Sequence, residues 1–260
     1  MGNNTTAPLQ ACSVVLTRPV RQSERLARLI REAGGEPILF PALAIEPPLD
    51  TAPVKTLLAR VVEFDIVVFI SPNAVEQAFH LAEQPLPAGP QIAAIGEGTG
   101  SALRERGVAD VLTPKGAGDT EALLAQPQLS QLSGARVLIV RGEGGRELLA
   151  EQLRARGAQV TYAECYRRTR PPAHATQLLD RWDRGEVHAV SAMSGETLNN
   201  FWHIVGERGQ ALFRCTPLFV PHANIAERAA RLGLTEVAIT PPGEDGLLRG
   251  LGAWFALQRR

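Results

Sequence analysis

The sequence predicts an α/β fold of two small parallel-sheet lobes, one inserted in the other. Short apolar runs alternate with amphipathic helical stretches along the whole chain, a pattern typical of parallel sheets covered by helices on both faces. The strand–helix units also resemble one another in pairs, which indicates two copies of one small domain. Their order along the chain is permuted, which indicates that one copy interrupts the other.

The first unit shows the pattern that the later units follow. Residues 13–17 (SVVLT) form a β-branched run typical of a buried strand. Residues 22–33 then place apolar side chains at helical spacing on one face. Gly34 ends this helix, since Gly is common just past a helix C-terminus. The next strand is predicted at residues 36–40.

The remaining elements are predicted from the same alternation. Strands are expected at residues 65–70, 91–95, 136–140, 188–191, 218–220 and 236–239. Helices are expected at residues 73–83, 98–106, 119–125, 145–156, 195–207, 224–231 and 245–257. Residues 1–11 lack either pattern and are expected to form a loose tail.

The internal repeat defines the predicted domains. SVVLTRPVRQSERLARLIREAGG matches RVLIVRGEGGRELLAEQLRARGA, with Arg18 on Arg141 and Gly34 on Gly157 at the same offset. DIVVFISPNAVEQAF likewise resembles HAVSAMSGETLNNFW, and IAAIGEGTGSALRERG resembles LFVPHANIAERAARLG. With units named a to d, the chain reads a, b′, c′, d′, a′, b, c, d.

This order predicts two flavodoxin-like lobes with discontinuous boundaries. Lobe 1 comprises residues 1–41 and 170–260, and lobe 2 comprises residues 42–169. Two connecting strands would join the lobes and leave a cleft between them. Two lobes around a cleft are a common ligand-binding arrangement and permit hinge closure.

Charge and cysteine content exclude several classes of function. Lys+Arg and Asp+Glu are both 27, so the chain lacks the basic excess of a nucleic-acid-binding protein. The three cysteines form no C-x-x-C pair, which argues against a zinc or redox site and fits a reducing compartment. No signal peptide or membrane-spanning run is recognisable. A cytoplasmic protein without a metal is expected.

The turns after the strands are the expected ligand site. In open parallel sheets, ligands bind beyond the carboxyl ends of the strands. Several of these turns contain Gly, Ser or Thr and open directly into a helix, whose first N–H groups attract anions. A ligand with several carboxylates or phosphates would suit them.

Two interpretations remain open for most of these residues. Ser71, Thr99 and Ser194 are equally consistent with ordinary helix N-caps. Arg18 and Arg141 are either solvated or, from their duplicated position at a strand end, directed to a ligand or the other lobe. Residues 167–170 (RRTR) are either a solvated charge cluster or part of the cleft lining.

The successive motifs LTRP, FISPNAV, AIGEGT, RVLIVRGEGGRELL, AECYRR and TPPGEDGLL resemble those of the uroporphyrinogen-III synthase family, in order from Ser13 to Leu251. The resemblance implies a lyase of tetrapyrrole, porphyrin and haem biosynthesis. It would close linear hydroxymethylbilane, which has eight carboxylates, with loss of water and inversion of ring D. It implies no cofactor. A monomer is expected, as is handover of the substrate by the preceding bilane synthase.

The resemblance also implies roles for individual residues. Tyr166, in ECYRR, matches the tyrosine that the family places near the reacting end of the substrate and is the expected catalytic residue. The expected substrate-binding residues are Ser71, Thr99, Arg141, Gly142, Arg146 and Ser194, with Arg18 added from the repeat. The sequence departs from the family pattern at SAMSG, where Ser191 is an alternative to Ser194. It departs again at VPHAN, where His222 and Asn224 replace a Gly-x-Thr type of turn.

Two rival functions share some of these features. A non-catalytic two-lobe binding protein for a polyanionic small molecule would have the same cleft, but such proteins are often exported. A sugar-nucleotide transferase with two Rossmann-like lobes would carry an acidic residue for ribose or metal after a Gly-rich turn, and no convincing one is present.

Overall fold

A computed structural model describes residues 7–82, 87–114, 119–172 and 174–258 of the chain. It divides into two compact units. Unit 1 comprises Met1–Ala44 and Thr169–Arg260, and unit 2 comprises Ile45–Arg168. Unit 2 is therefore a continuous insertion in unit 1. The observed changes of unit fall at residues 44–45 and 168–169, beside the predicted boundaries at 41–42 and 169–170.

The elements are numbered in chain order. The first half contains β1 (Ser13–Leu16), α1 (Val20–Glu32), β2 (Glu36–Leu39), β3 (Ala44–Glu46), α2 (Ala52–Ala59), β4 (Ile66–Phe69), α3 (Pro72–Ala82), β5 (Gln91–Ala94), α4 (Glu97–Glu105) and α5 (Thr120–Leu124). The second half contains β6 (Arg136–Gly142), α6 (Leu148–Ala155), β7 (Gln159–Thr169), α7 (Thr176–Asp183), β8 (Ala189–Ser191), α8 (Gly195–Arg214), β9 (Leu218–Val220), α9 (Ala223–Arg231), β10 (Val237–Ile239) and α10 (Glu244–Gln258).

Each unit is built on one five-stranded sheet. The strand order is β10-β9-β8-β1-β2 in unit 1 and β3-β7-β6-β4-β5 in unit 2. Pairing is parallel between β2, β1, β8, β9 and β10, and likewise between β7, β6, β4 and β5. The predicted α/β fold with parallel sheets is confirmed.

Four strands of each sheet correspond in the permuted order of the repeat. β2-β1-β8-β9 of unit 1 matches β7-β6-β4-β5 of unit 2. In unit 1, β10 lies beside β9. At the corresponding place beside β5, the described part of unit 2 has a single parallel bridge between Ala93 and Leu112. The expected fourth repeat unit of this copy is thus reduced to one paired residue.

Apolar side chains cover both faces of each sheet. In unit 1, one core contains Val15, Val190 and Val220, and the opposite core contains Val14, Leu16 and Phe219. This alternation along each strand is the two-residue period of a sheet buried on both sides. Unit 2 repeats the arrangement with two cores of its own. The strands are thereby fixed, and their carboxyl ends hold the following turns in place.

Several local predictions need correction. Residues 7–11 were expected in a loose tail, yet Leu9 is fully buried and its N–H donates to Ala33 O at 2.9 Å. β3, α2, β7 and α7 were not among the predicted elements. α8 continues beyond residue 207 to Arg214, although Gly206 interrupts it with a φ of 64°.

Candidate functional site

Tyr166 lies near the carboxyl end of β7, which is separated from β4 by one strand. It pairs with Gly142 of β6, and its ring is almost completely buried. A β-carbon built on Gly142 would lie 2.5 Å from Cε2 of the ring, so only Gly fits beneath it. Gly142 was predicted to bind substrate, and the structure shows that it also makes room for the predicted catalytic side chain.

Ser71 has two partners, one of which is Tyr166. Its Oγ accepts the Ala74 N–H at 3.0 Å, which makes it the N-cap of α3. The same Oγ lies 3.2 Å from the Tyr166 hydroxyl oxygen. The capping interpretation of Ser71 is therefore correct, and it does not exclude the functional one. The capped helix positions the serine hydroxyl beside the tyrosine hydroxyl.

Arg168 is the second side chain that contacts the Tyr166 hydroxyl. Its Nη2 donates to that oxygen at 3.3 Å, and its guanidinium carbon lies 5.5 Å from the ring centroid. The side chain is exposed. From sequence, Arg168 belonged only to the general charge cluster 167–170. The sequence did not single out Arg168, because the strand that places positions 166 and 168 on one face was not delimited from the sequence.

Thr99 lies in the first turn of α4 and is not its N-cap. Gly96 takes that place, without a side-chain capping bond. Thr99 is buried, with an exposed fraction of 3%, and no residue in the described ranges hydrogen-bonds its hydroxyl. The backbone N–H groups of Glu97 and Gly98 likewise have no acceptor among the described residues. Among the described residues, these three donors at one helix N-terminus have no partner, an arrangement that suits anion binding.

Unit 1 contains a counterpart of Ser71. Ser194 caps α8, with Oγ accepting the Thr197 N–H at 3.1 Å, and its carbonyl accepts the Leu198 N–H at 3.1 Å. Ser71 makes the same pair of bonds in α3. Ser191 lies within β8 and its hydroxyl donates to Val15 O at 3.2 Å. The capping geometry therefore makes Ser194 the structural equivalent of Ser71, and Ser191 is part of the sheet.

The VPHAN turn reproduces the backbone of the GEGT turn with different side chains. His222 is the N-cap of α9, with the extended backbone that Gly96 has before α4. Ile225 occupies the position that Thr99 has in unit 2 and is buried. Unit 1 therefore keeps the helix N-terminus and lacks the buried hydroxyl. His222 and Asn224 are exposed.

Arg18 follows β1 and is paired within unit 1. Its Nη1 donates to Glu244 Oε1 at 3.3 Å, and its Nη2 donates to Gln22 Oε1 at 3.2 Å. Burial lowers the pKa of Arg18, with partial compensation by the charge of Glu244. Glu244 also accepts a hydrogen bond from Arg25 at 3.0 Å. A role of Arg18 in substrate binding stays a prediction.

Arg141, the repeat partner of Arg18, is bound by two carboxylates. Its guanidinium donates to Glu164 Oε1 at 3.1 Å and to Glu147 Oε1 at 2.9 Å, and its guanidinium carbon lies 4.0 Å from the Tyr162 ring centroid. Burial alone would lower the pKa of Arg141, but hydrogen bonds to these carboxylates raise it. The pKa of Glu147 is lowered by hydrogen bonds from Tyr162 and Arg141.

The surroundings of Arg141 are acidic. A cavity of about 420 Å³ beside this network is lined partly by Asp50, Glu143 and Glu164. Arg146, the other arginine of the motif, is exposed, and no described residue pairs with it. An arginine already held by two carboxylates has little capacity left for a substrate carboxylate. The predicted binding role therefore fits Arg146 better than Arg141, and it remains untested for both.

The described residues contain no cluster that would hold a metal ion. In residues 7–82, 87–114, 119–172 and 174–258, no three His, Cys, Asp or Glu side chains are suitably grouped. Cys12, Cys165 and Cys215 are free thiols. Burial raises the pKa of Cys165 to about 12, so this neighbour of Tyr166 stays a protonated thiol. No helix within the described ranges has both the length and the apolar character needed to cross a membrane.

A second cavity of about 420 Å³ lies in unit 1, away from the strand carboxyl ends. Its lining includes Ser13, Glu36 and His188, at the start of β1, β2 and β8, and Arg181 of α7. None of the predicted site residues borders it. The predicted residues of unit 2 lie instead at the opposite edge of its sheet, where β4, β6 and β7 end.

Comparison with known proteins identifies relatives along the whole chain. The family model for uroporphyrinogen-III synthase HemD matches residues 24–248. The uroporphyrinogen-III synthase of Escherichia coli (strain K12) is 33% identical over 245 residues, covering 92% of this chain and 99% of that protein. A putative uroporphyrinogen-III synthase of Methanothermobacter thermautotrophicus is 30% identical over 204 residues, covering 76% of this chain and 80% of that protein.

Solved structures support the fold. A crystal structure of a mutant uroporphyrinogen III synthase from the extreme thermophile Thermus thermophilus matches with a TM-score of 0.59 at 20% identity, covering 96% of this chain and 100% of that one. The synthetase structure from Helicobacter pylori 26695 matches with a TM-score of 0.55 at 14% identity, covering 96% and 99%. At these identities the two structures bear on the fold alone.

Proposed function

The chain belongs to the uroporphyrinogen-III synthase family, and from that membership we propose how its own residues carry out the family reaction. The family model and the 33% identical relative confirm the family expected from the motifs. The chain is accordingly a cyclising lyase of tetrapyrrole biosynthesis that acts on hydroxymethylbilane. A non-catalytic binding protein is not favoured.

The proposal rests on one observation, the contact of the Tyr166 hydroxyl with Ser71 at the carboxyl edge of the unit 2 sheet. These two oxygens lie 3.2 Å apart, and the N-terminus of α4 follows the neighbouring strand β5. A tyrosine hydroxyl is a neutral proton donor at pH 7. A group of this kind beside anion-binding turns suits a polycarboxylate substrate that must lose a hydroxyl group.

Substrate carboxylates are held mainly by backbone N–H groups at the strand-end turns. The N–H groups of Glu97 and Gly98 are unpaired within the described chain, and the buried Thr99 hydroxyl lies beside them. In unit 1, the first N–H groups of α8 and α9 have no acceptor among the described residues, and in unit 2 Arg146 adds an exposed cation. Each helix N-terminus contributes roughly 0.3–1 kcal/mol to a nearby anion, so several together are needed for firm binding.

Tyr166 donates its proton to the terminal hydroxyl of the bilane. The carbon–oxygen bond then breaks and water leaves, with electron density supplied by the adjoining pyrrole nitrogen. Ring D attacks the resulting carbon through its substituted position and forms a spiro intermediate. The older bond from that ring carbon to the methylene shared with ring C then breaks, and the methylene bonds to the free α-carbon of ring D, which leaves ring D inverted. The proton that ring D finally loses restores the tyrosine, so hydroxyl and proton together account for the water released.

Positioning contributes the remainder of catalysis. The bilane closes spontaneously without inversion. The protein must therefore direct closure through the substituted carbon of ring D faster than spontaneous closure occurs. Fixing reacting groups in this way removes several kcal/mol from a barrier. The rigid placement of Tyr166 between Gly142 and Ser71 serves the same purpose for the proton donor.

We also propose a cytoplasmic location, a monomeric state and direct transfer of the bilane from the preceding bilane synthase. Size-exclusion chromatography with light scattering checks the monomer. A coupled assay with and without a large excess of unrelated bilane-binding protein checks direct transfer.

Tyr166→Phe tests the proposed chemistry, because it keeps the ring over Gly142 and removes only the hydroxyl. Turnover should fall roughly 10- to 1000-fold, the usual range for a positioned proton donor. The free energy of unfolding should fall by no more than about 1 kcal/mol, the value of a typical hydrogen bond. Chromatography of the oxidised products should show more type I isomer. Unchanged turnover together with an unchanged isomer ratio would remove Tyr166 from the mechanism.

A further inference from the structure

We propose that Arg168 binds a carboxylate of the substrate and that this binding draws its guanidinium away from the Tyr166 hydroxyl. The inference rests on the proposed function, because it concerns the same hydroxyl. It adds a substrate-binding residue and gives the reason why the proton donor is covered in the described structure.

Tyr166 is a buried residue. Its exposed fraction is 1%, too little for a substrate hydroxyl to reach its oxygen. The hydroxyl oxygen contacts both Ser71 Oγ and the guanidinium of Arg168. Ser71 is fixed by its capping bond to Ala74. Arg168 is therefore the contact that has to move.

Arg168 is a cation close to the Tyr166 hydroxyl. The side chain is exposed, and no carboxylate within the described ranges pairs with it. Its neighbour Arg167 differs, because it forms an ion pair with Glu46 and donates to Pro47 O at 3.1 Å. Arg168 is thus a cation at the end of β7 whose described bonding partner is a neutral phenol oxygen.

This cation has two possible partners, the Tyr166 hydroxyl and a substrate carboxylate. The present bond to Tyr166 is 3.3 Å long, whereas an arginine–carboxylate bond is about 2.7–2.9 Å long and roughly twice as strong as a bond between neutral groups. A substrate carboxylate in reach therefore outcompetes the phenol oxygen. Because the substrate carries carboxylates on every ring, the exchange uncovers Tyr166 only when a polycarboxylate is bound.

Steady-state kinetics of Arg168→Ala test the binding role. KM should rise about 10-fold or more, as expected for loss of a charge-assisted hydrogen bond, while kcat stays within about twofold because Tyr166 is retained. Arg168→Lys should recover part of the KM change. Arg167→Ala is the matched control, with the same loss of charge and no contact to Tyr166, and its KM should change less than about threefold. A lower kcat with unchanged KM would overturn the proposal.

Nitration by tetranitromethane tests the uncovering without any turnover. Tyr166 should be nitrated several times faster in Arg168→Ala than in the parent chain, with Tyr162 as the internal reference in the same peptide map. Equal rates in the parent chain and in Arg168→Ala would refute the covering role.

The two proposals fail in different ways. If Tyr166→Phe keeps full turnover while Arg168→Ala raises KM, the proton-donor role fails and carboxylate binding by Arg168 stands. If Tyr166→Phe loses turnover while Arg168→Ala leaves both KM and nitration unchanged, the role of Arg168 fails alone.

Discussion

The ring of Tyr166 occupies the space that a side chain at Gly142 would need. A β-carbon on Gly142 would lie 2.5 Å from Cε2 and 2.6 Å from Cζ of the ring, well inside van der Waals contact. The two residues are cross-strand neighbours in β6 and β7. The glycine of the RG motif and the tyrosine of the ECYRR motif are therefore one structural unit, although they are far apart in sequence.

Gly142→Ala should destabilise the protein and displace Tyr166. The added methyl group overpacks a filled core, which typically costs about 1–3 kcal/mol, and turnover should fall with the displaced hydroxyl. Thermal unfolding and product analysis measure the two effects. Tyr166→Leu removes the clashing ring atoms, so Gly142→Ala should cost less stability in that background. An unaltered melting temperature in the single variant would contradict the steric argument.

Ser71→Ala and Ser194→Ala separate helix capping from contact with the tyrosine. Each serine caps a helix through its Oγ, so each change should cost about 1 kcal/mol of stability. Only Ser71 of the two also contacts a tyrosine hydroxyl among the described residues. The ratio of type III to type I product should therefore fall more in Ser71→Ala than in Ser194→Ala. Equal isomer ratios at equal stability loss would show that the contact between Ser71 and Tyr166 does not affect the ratio of type III to type I product.

The permuted architecture was predictable because each strand–helix unit occurs twice with the same apolar pattern. Arg18 and Arg141 align in that repeat and lie at the ends of equivalent strands. Arg18 follows β1, and Arg141 is in the last part of β6. Their partners were not predictable. Glu164 meets Arg141 only because β7 pairs with β6 in one register, and a strand register depends on which faces are buried rather than on local sequence.

The predicted serine and threonine site residues were also only partly predictable from the sequence. Ser71, Thr99 and Ser194 all precede or begin a helix, so sequence patterns alone do not distinguish them. The structure separates them by where the helix starts. The first helical residue after Ser71 is Pro72, whereas Thr99 lies two residues beyond the start of α4 at Glu97. Helix ends are set within one turn by tertiary packing, and sequence patterns do not resolve them to that accuracy.

Glu147→Gln should show a stability loss that depends on pH. The pKa of Glu147 is lowered from the ordinary 4.5 by hydrogen bonds from Tyr162 and Arg141. A carboxyl whose pKa is lower in the folded state stabilises the protein above its ordinary pKa, and this contribution is lost as the pH falls through the folded value. The variant should therefore melt below the parent chain at pH 7, and the difference in melting temperature should shrink steadily as the pH is lowered below 4.5.

The control for Glu147→Gln is Glu151→Gln, one turn further along α6. No described residue forms an ion pair with Glu151, so its substitution should give a small difference in melting temperature that is flat across the same pH range. A gap between Glu147→Gln and the parent chain that persists undiminished in acid would assign the effect to packing instead of charge.

Gly98→Ala tests whether substrate carboxylates sit on the backbone of the α4 N-terminus. No atom lies within 4 Å of a β-carbon at this position, so the methyl group has room in the ligand-free protein. Alanine also favours a helix over glycine by up to about 1 kcal/mol, and the melting temperature should stay the same or rise. With a carboxylate on the N–H groups of Glu97 and Gly98, the methyl group would obstruct it. KM should then rise roughly 10-fold, which corresponds to about 1.4 kcal/mol, near the lower end for a hydrogen bond to a charged group.

Ser101→Ala, in the next turn of α4, is the matched control for Gly98→Ala. This substitution also raises helix propensity, but it lies away from the N-terminal N–H groups. It should therefore leave KM unchanged. A rise of KM in Gly98→Ala alone would therefore come from the position of the methyl group and not from a stiffer helix. A stable Gly98→Ala variant with the KM of the parent chain would place the carboxylates elsewhere and leave Thr99 as a buried residue without a ligand.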